Sequence, residues 1–389
     1  MHEWVKIPAV IMRGGTSKGV YLLENDLPAD NKVRDQVILS IFGSPDSRQI
    51  DGLGGADPLT SKVAIISPSS RDDTDVDYTF GYVGINEAHV DYSGNCGNIS
   101  SGVGPFAVDE GLVQVVEPVT TVRIFNTNTK KIIEAEVPVK NGRAAVEGDF
   151  SIDGVPGTGA KILLNFLNSE GAKTGKLLPT GNKVDVITLQ DGREIQVSIV
   201  DAANPAIFAR AEDLGLTGKE LPVDAEKNPA ILQTMEEIRC ICAEMIGMAS
   251  DREKASAETP AVPKVALVAA PGDYQSSQGV LVKPENIDLI ARTKALGKMH
   301  KAYAVTGGIC TATAALIKGT VVSEVVGNRA VETNTVRIGH PSGVLEFAIE
   351  LVSEEDGTMH LKKAAVARTA RRIMDGSVYV PARVWGPEK

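Results

Sequence analysis

Residues 95–111 read Asn-Cys-Gly-Asn-Ile-Ser-Ser-Gly-Val-Gly-Pro-Phe-Ala-Val-Asp-Glu-Gly. From Gly97 to Gly111 this stretch has the length of a helix and consists mostly of small or apolar residues. That composition predicts a helix that is buried on all sides rather than on one face. Pro105 opposes a continuous helix. Cys96 stands immediately before the predicted helix.

The second half of the chain repeats this arrangement. Residues 307–319 (Gly-Gly-Ile-Cys-Thr-Ala-Thr-Ala-Ala-Leu-Ile-Lys-Gly) predict another small-residue helix, which opens at Cys310 and closes at Gly319. Each half would then direct a cysteine from the start of a buried helix. Two such domains facing each other would form a cleft lined by two helix N-termini, whose free N–H groups attract carboxylates. The repeat therefore predicts a site for a dicarboxylate.

The remaining pattern indicates a mixed α/β protein with two domains. A chain of 389 residues exceeds what one hydrophobic core usually supports. We predict domains over residues 1–183 and 184–389, with the extreme C-terminus free to pack back on the first. A polar run at residues 251–258 predicts a loop, and Asn228-Pro229 opens a further helix. Strands are predicted over residues 5–12, 62–66, 75–83, 89–92, 121–126, 132–139, 184–189, 195–201 and 265–269.

Composition excludes several classes of partner and site. A net charge of -10 argues against nucleic acid as the main partner, because phosphate binding normally needs a basic surface. No apolar run of about 18 residues and no secretory signal pattern occur, so we expect a cytoplasmic protein that does not contact membranes. The four cysteines are too few and too scattered for a disulfide framework. The histidines lack metal-ligand spacing, so we expect no metal.

The cysteines differ in their expected roles. A thiol at a helix N-terminus ionises more readily than a free thiol, so Cys96 and Cys310 are candidates to donate or accept a proton. The alternative for both is a buried, inert thiol. Cys240 and Cys242 lie two residues apart in a predicted helix, face different sides of it and cannot chelate one metal.

Two glycine-rich turns and one lysine complete the candidates. Residues 13–19 (Arg-Gly-Gly-Thr-Ser-Lys-Gly) offer backbone amides, hydroxyls and cations to an anion, although a plain Gly-Gly turn would also explain the glycines. Residues 51–57 form a second such loop, which leads to Lys62 at the start of an apolar strand. Burial there would favour the neutral amine and allow Lys62 to act as a base. The alternative is a lysine whose ammonium group reaches water.

Four motifs together resemble one family. They are residues 12–19 (Met-Arg-Gly-Gly-Thr-Ser-Lys-Gly), 52–55 (Gly-Leu-Gly-Gly) through 61–63 (Ser-Lys-Val), 93–98 (Ser-Gly-Asn-Cys-Gly-Asn) and 306–310 (Thr-Gly-Gly-Ile-Cys). Residues 299–302 (Met-His-Lys-Ala) and 339–343 (Gly-His-Pro-Ser-Gly) extend the similarity over nearly the whole chain. The chain thus resembles the methylitaconate/2-methylaconitate isomerase family.

The resemblance implies an α+β, diaminopimelate-epimerase-like fold, in which two topologically similar domains each wrap a β-sheet around a central helix. It also implies that Lys62 and Cys96 are the catalytic acid–base pair. Cys310-Thr311-Ala312 departs from the second cysteine motif of diaminopimelate epimerases, which argues against a two-thiol epimerase mechanism. The residues implied to contact the substrate are Ser17, Thr16, Gly97, Asn98, His300 and Gly308.

The implied reaction is a 1,3-proton shift that converts 3-methylitaconate to 2,3-dimethylmaleate without a cofactor, in a homo-oligomer. Three alternatives stay open. The same fold could act on 2-methylaconitate or 4-oxalomesaconate, it could be a two-thiol racemase that needs Cys310, or it could bind a dicarboxylate without catalysis.

Overall fold

The computed structural model describes residues 3–295, 297–355 and 357–385. The chain divides into two compact units. Unit 1 runs to Leu164 and resumes at Arg368, and unit 2 covers Asn165–Ala367. The chain thus leaves unit 1 after Leu164, and its last part, from Arg368 onward, belongs to unit 1 again. The division into domains at residues 183 and 184 stays a prediction.

The helices and strands follow one another in mixed order. The helices are α1 Asn31–Phe42, α2 Gly97–Asp109, α3 Pro222–Lys227, α4 Pro229–Met245, α5 Ala255–Glu258, α6 Val305–Leu316, α7 Val321–Val325 and α8 Asn328–Thr333. The strands are β1 Trp4–Gly14, β2 Ser17–Leu23, β3 Lys62–Pro68, β4 Val76–Val83, β5 Val90–Asp91, β6 Val119–Asn126, β7 Lys131–Lys140, β8 Arg143–Ala144, β9 Ile162–Leu167, β10 Asp185–Thr188, β11 Glu194–Ala202, β12 Asn204–Arg210, β13 Lys264–Ala269, β14 Tyr274–Gln275, β15 Leu281–Val282, β16 Leu289–Ala295, β17 Lys298–Met299, β18 Thr335–His340, β19 Gly343–Ser353, β20 Met359–Arg368 and β21 Ala370–Pro381.

In unit 1 a sheet surrounds one central helix. Strands β21, β1 and β2 pair antiparallel, β2 pairs parallel with β3, β3 antiparallel with β4, β4 parallel with β6, and β6 antiparallel with β7. Helix α2 packs against strands of this sheet from β1 to β7 and against β21. Its residues from Gly97 to Val108 are all buried. The helix predicted from its small residues is therefore central, and it continues through Pro105.

Unit 2 repeats that topology strand for strand. Strands β10, β11 and β12 pair antiparallel, β12 pairs parallel with β13, β13 antiparallel with β16, β16 parallel with β18, and β18 antiparallel with β19. Helix α6 takes the place of α2, and its residues from Val305 to Ala315 are buried. The prediction of two topologically similar parts, each with a sheet around a central helix, is confirmed.

The structure also corrects the sequence-based elements. Helix α1 was not predicted, although Asp30 caps its first turn and Gly43 ends it in a left-handed conformation with φ 70°. The predicted loop at residues 251–258 contains the short helix α5. Among the described residues, no helix is both long and apolar enough to cross a membrane.

Candidate active site

Strand alternation brings three functional side chains of unit 1 to one face of the sheet. Val63 and Ile65 of β3 pack in the core cluster that includes α1. Lys62 therefore projects to the opposite face, because successive side chains on a strand point to opposite sides. Tyr82 is its partner in the register of β4. On β2, Ser17 has the same parity as Tyr21, whose hydroxyl donates to the Ile99 carbonyl oxygen of α2 at 2.6 Å.

Lys62 contacts both Ser17 and Cys96. Its Nζ donates to Ser17 Oγ at 2.9 Å and lies 3.4 Å from Cys96 Sγ. Nζ also lies 5.3 Å from the centre of the Tyr82 ring. Lys62 is only 3% exposed, and none of the ion pairs among the described residues includes it. A buried amine in contact with a thiol is an arrangement in which a proton can be taken up by one group and supplied by the other.

Cys96 lies at the start of α2, as predicted. It is the N-cap residue, and no side chain caps the helix there. The first bond of the helix runs from the Ser100 N–H to the Cys96 carbonyl oxygen. The N–H groups of Gly97, Asn98 and Ile99 precede it, and no acceptor for them is found in the described parts of the chain. This end of the helix can therefore receive an anion.

The Gly14-Gly15 turn packs directly against the start of α2. A Cβ on Gly14 would lie 2.4 Å from the Asn98 carbonyl oxygen, and one on Gly15 would lie 2.1 Å from Asn98 Oδ1. Gly15 also has a φ of 51°, which favours glycine. The next residue, Thr16, donates its backbone N–H to Asn98 Oδ1 at 3.4 Å, and its own buried Oγ1 has no partner in the described structure. The absence of a side chain at both glycines thus allows Thr16 and Asn98 to lie close together.

Two tyrosines near Cys96 remain neutral. Burial raises the pKa of Tyr21 well above its ordinary value, and the nearby Cys96 sulfur adds to the shift. Burial and the same sulfur also raise the pKa of Tyr82. Each hydroxyl donates to a backbone carbonyl, that of Tyr82 to Pro58 at 2.7 Å. Both tyrosine side chains are therefore fixed in position, and neither takes part in the proton transfer. Tyr82 could not be predicted from the sequence, because its contact with Lys62 arises from strand register.

The buried Gln49 side chain holds the glycine-rich loop before β3 by hydrogen bonds. The Gln49 amide nitrogen donates to Ser61 Oγ at 2.8 Å, and its oxygen accepts from the Ala56 N–H at 2.8 Å. A Cβ on Gly54 would lie 2.2 Å from that amide. Ser61 in turn donates to the Val83 carbonyl oxygen at 2.8 Å. These bonds fix the residue next to Lys62 and so limit the movement of the amine.

Unit 2 holds the other predicted site residues, His300 and Gly308. His300 is 8% exposed, and its Nδ1 accepts from the Ala302 N–H at 3.0 Å. A Cβ on Gly308 would lie 2.3 Å from the Phe347 ring, so packing alone requires glycine there. The contact of both residues with a substrate stays a prediction.

The expectation that Cys310 starts a helix is wrong. Helix α6 begins at Val305 with Ala304 as its N-cap, so Cys310 lies in its second turn. Its side chain is fully buried, and its thiol donates to the Val200 carbonyl oxygen at 3.1 Å. Burial raises the pKa of Cys310 strongly. The position that corresponds to Cys96 in unit 2 is therefore Ala304, which has no titratable group.

The cysteines of α4 occupy different faces of that helix. Cys242 is buried and burial raises its pKa, whereas Cys240 is partly exposed. In the described ranges no three His, Cys, Asp or Glu side chains are placed to hold a metal ion.

The chain matches one family model and several curated proteins. The model described as "PrpF protein" matches residues 4–381. The 3-methylitaconate isomerase of Eubacterium barkeri is 54% identical over 98% of this chain and 98% of its own. The 2-methyl-aconitate isomerase of Shewanella oneidensis is 41% identical, with 97% of each chain covered. The 4-oxalomesaconate tautomerase of Pseudomonas putida is 42% identical, with 99% of each covered.

Solved structures agree with the topology. A methylitaconate-delta-isomerase crystal structure superposes with a TM-score of 0.81 at 52% identity, over 98% of this chain and 97% of the other. A hydroxyproline epimerase from Agrobacterium vitis superposes with a TM-score of 0.56 at 12% identity, over 98% and 97% of the two chains, which shows a shared fold only. The epimerase-like fold expected from the sequence motifs is confirmed.

Proposed function

We propose that this chain, which belongs to the PrpF protein family, is an isomerase that converts 3-methylitaconate to 2,3-dimethylmaleate. The observation that carries this proposal is the contact of the buried Lys62 amine with Cys96 and Ser17. The 54% identity with 3-methylitaconate isomerase, against 41% and 42% with the other two isomerases, favours this substrate.

Lys62 and Cys96 move the proton. In 3-methylitaconate the hydrogen on C3 is allylic and lies next to a carboxylate, so its removal gives a dienolate. One member of the pair takes this proton as the C3–H bond breaks, and the other supplies a proton to the methylene carbon, which becomes a methyl group. The double bond then lies between C2 and C3. Because Nζ and Sγ are 3.4 Å apart, a proton passing between them restores the starting state.

The start of α2 binds a substrate carboxylate. The unbonded N–H groups of Gly97, Asn98 and Ile99 and the positive end of the helix dipole supply the attraction that an acidic protein otherwise lacks. Thr16 stands beside them, and its unpartnered hydroxyl adds a donor. A fixed array of donors stabilises the charge of the dienolate without the reorganisation that water would require. His300 and Gly308 are also proposed to contact the substrate.

The proton shift needs neither a metal nor an electron-accepting cofactor, because the two carboxyl groups themselves accept the negative charge. We therefore propose a reaction that depends on side chains alone. The proposal includes a homo-oligomeric state and a cytoplasmic location. A protein that only binds dicarboxylates would have no use for a buried amine in contact with a thiol, so this contact favours catalysis.

Parallel substrate comparison tests the proposal. Methylitaconate, itaconate, 2-methylaconitate and 4-oxalomesaconate are offered separately, and products are followed by proton NMR. We expect the highest kcat/KM with methylitaconate. A higher kcat/KM with either tricarboxylate would move the assignment to that substrate. Tight binding by calorimetry without turnover of any compound would identify a binding protein instead.

A further inference from the structure

Asn98 lies among groups that only donate hydrogen bonds. Its side-chain oxygen accepts from Arg368 Nε at 3.2 Å and from the Thr16 N–H at 3.4 Å. A guanidinium and a backbone amide have no acceptor atom in these positions. The reverse orientation of the Asn98 amide would place its two N–H groups against these donors. The oxygen must therefore face Arg368, and this fixes the amide.

The fixed amide leaves its donors for a ligand. Asn98 is 1% exposed, and the hydrogen bonds found for its side chain within the described residues are both accepted by Oδ1, so none is donated by Nδ2. Polar groups of a side chain this buried are usually hydrogen-bonded, so an unused amide donor points to a bound partner. Asn98 is also the second residue of α2, beside N–H groups that lack acceptors. Two independent features thus point to one anion.

Arg368 itself is held in place from several sides. It is 4% exposed, and the neighbouring Thr369 carbonyl oxygen accepts from Arg13 Nη1 at 2.8 Å and from the Gly15 N–H at 3.0 Å. A Cβ on Gly15 would lie 3.2 Å from Arg368 Cδ, so glycine also makes room for the arginine. Burial lowers the pKa of Arg368 to about 9, which leaves it protonated at neutral pH.

We propose that Arg368 is a positioning residue, which orients the Asn98 amide so that Nδ2 donates to a substrate carboxylate at the start of α2. This inference rests on the proposed function, because it assumes that the anion is the substrate. Arg368 acts on this carboxylate through Asn98, so its effect on substrate binding depends on the Asn98 amide.

A double-mutant cycle tests this dependence. The variants are Arg368→Met, Asn98→Ala and their combination, with Arg371→Met as the control, since Arg371 is an exposed arginine three residues further along, in β21. Steady-state kinetics with methylitaconate and calorimetric binding of 2,3-dimethylmaleate are measured for each. We expect Arg368→Met and Asn98→Ala each to raise KM and Kd about 10-fold or more, the scale of a hydrogen bond to a charged group. The carboxyl group gains negative charge in the dienolate, so kcat should not rise in either variant and kcat/KM should fall at least as much as Kd rises.

The combined variant should be no worse than Asn98→Ala alone, and Arg371→Met should match the wild type. Multiplying effects in the combined variant, or a KM within twofold of wild type for Arg368→Met, would overturn the proposal. If Arg368→Met does not fold, Arg368→Lys replaces it. Arg368→Lys should raise KM in the wild-type background and leave KM unchanged in Asn98→Ala. Equal effects in the two backgrounds would overturn the proposal. If wild type binds dimethylmaleate but isomerises none of the compounds offered, the proposed function is wrong. The Kd values of the single and double variants then still show whether Arg368 acts through Asn98.

Discussion

The Lys62 amine lies 3.4 Å from the Cys96 sulfur although the two residues come from different elements, one from strand β3 and the other from the cap of helix α2. Ser17 Oγ holds the amine from a third element, at 2.9 Å. Each side chain is thus fixed by its own backbone segment. The pair is ordered before substrate binds, which lowers the entropic cost of aligning it with a substrate.

Removing either member of the pair should abolish most of the activity. We expect Lys62→Ala and Cys96→Ala each to lower kcat by at least about 100-fold, the contribution of a positioned acid or base. Cys240→Ala removes a partly exposed thiol from α4 and serves as the control, with wild-type kcat. Thermal unfolding checks that each variant is folded. A kcat within a few-fold of wild type would exclude that residue from the proton transfer.

Cys310→Ala should retain activity. The Cys310 thiol is buried and its pKa is raised by burial, so we expect kcat within about threefold of wild type. The loss of a buried sulfur should lower the free energy of unfolding by about 1 kcal/mol. Steady-state kinetics and denaturant unfolding measure the two effects. A fall in kcat as large as that of Cys96→Ala would favour a two-thiol racemase.

Acid stability should depend on Glu236 in unit 2. Burial alone would raise the pKa of Glu236, but hydrogen bonds from Arg239, Lys294 and Ser256 outweigh it and lower that pKa. A carboxylate whose pKa is lower in the folded state stabilises the fold above its unfolded-state pKa, about 4.3, and this stabilisation is lost as the pH falls. At pH 7 the free energy of unfolding of Glu236→Gln should therefore be about 1–2 kcal/mol lower than that of wild type. This difference should become smaller below about pH 4.

Denaturant unfolding at pH 3, 5 and 7 measures this dependence. Glu226→Gln changes an exposed carboxylate of α3 and serves as its control. A Glu236→Gln difference that stays constant between pH 7 and pH 3 would show that the carboxylate charge does not stabilise the fold.

Buried helices and strands could be predicted from the sequence because their composition differs from that of surface elements. The small residues after Cys96 indicated a helix surrounded by a sheet, and the same pattern in the second half indicated the repeat. Helix α1 was missed, although Asp30 and Gly43 are typical cap residues on either side of its apolar positions. These signals were present in the sequence and could have identified it.

The site was only partly predictable. Cys96 was placed correctly because a helix start can be inferred locally, whereas Cys310 was misplaced by six residues relative to the cap at Ala304. Arg368 could not be found from the sequence, since its contact with Asn98 joins positions 270 residues apart. Contacts of this kind depend on strand register, which composition does not determine.

Incorporation of solvent deuterium by wild type, Lys62→Ala and Cys96→Ala measures whether this pair moves the proton. Each protein is incubated with methylitaconate in D2O, and the methyl signals of the product are followed by proton NMR. We predict that wild type forms dimethylmaleate with deuterium in a new methyl group, because the N–H and S–H protons of the pair exchange with D2O between turnovers. Neither variant should do so at more than about 1% of that rate. Deuterated product formed by both variants at the wild-type rate would contradict this prediction.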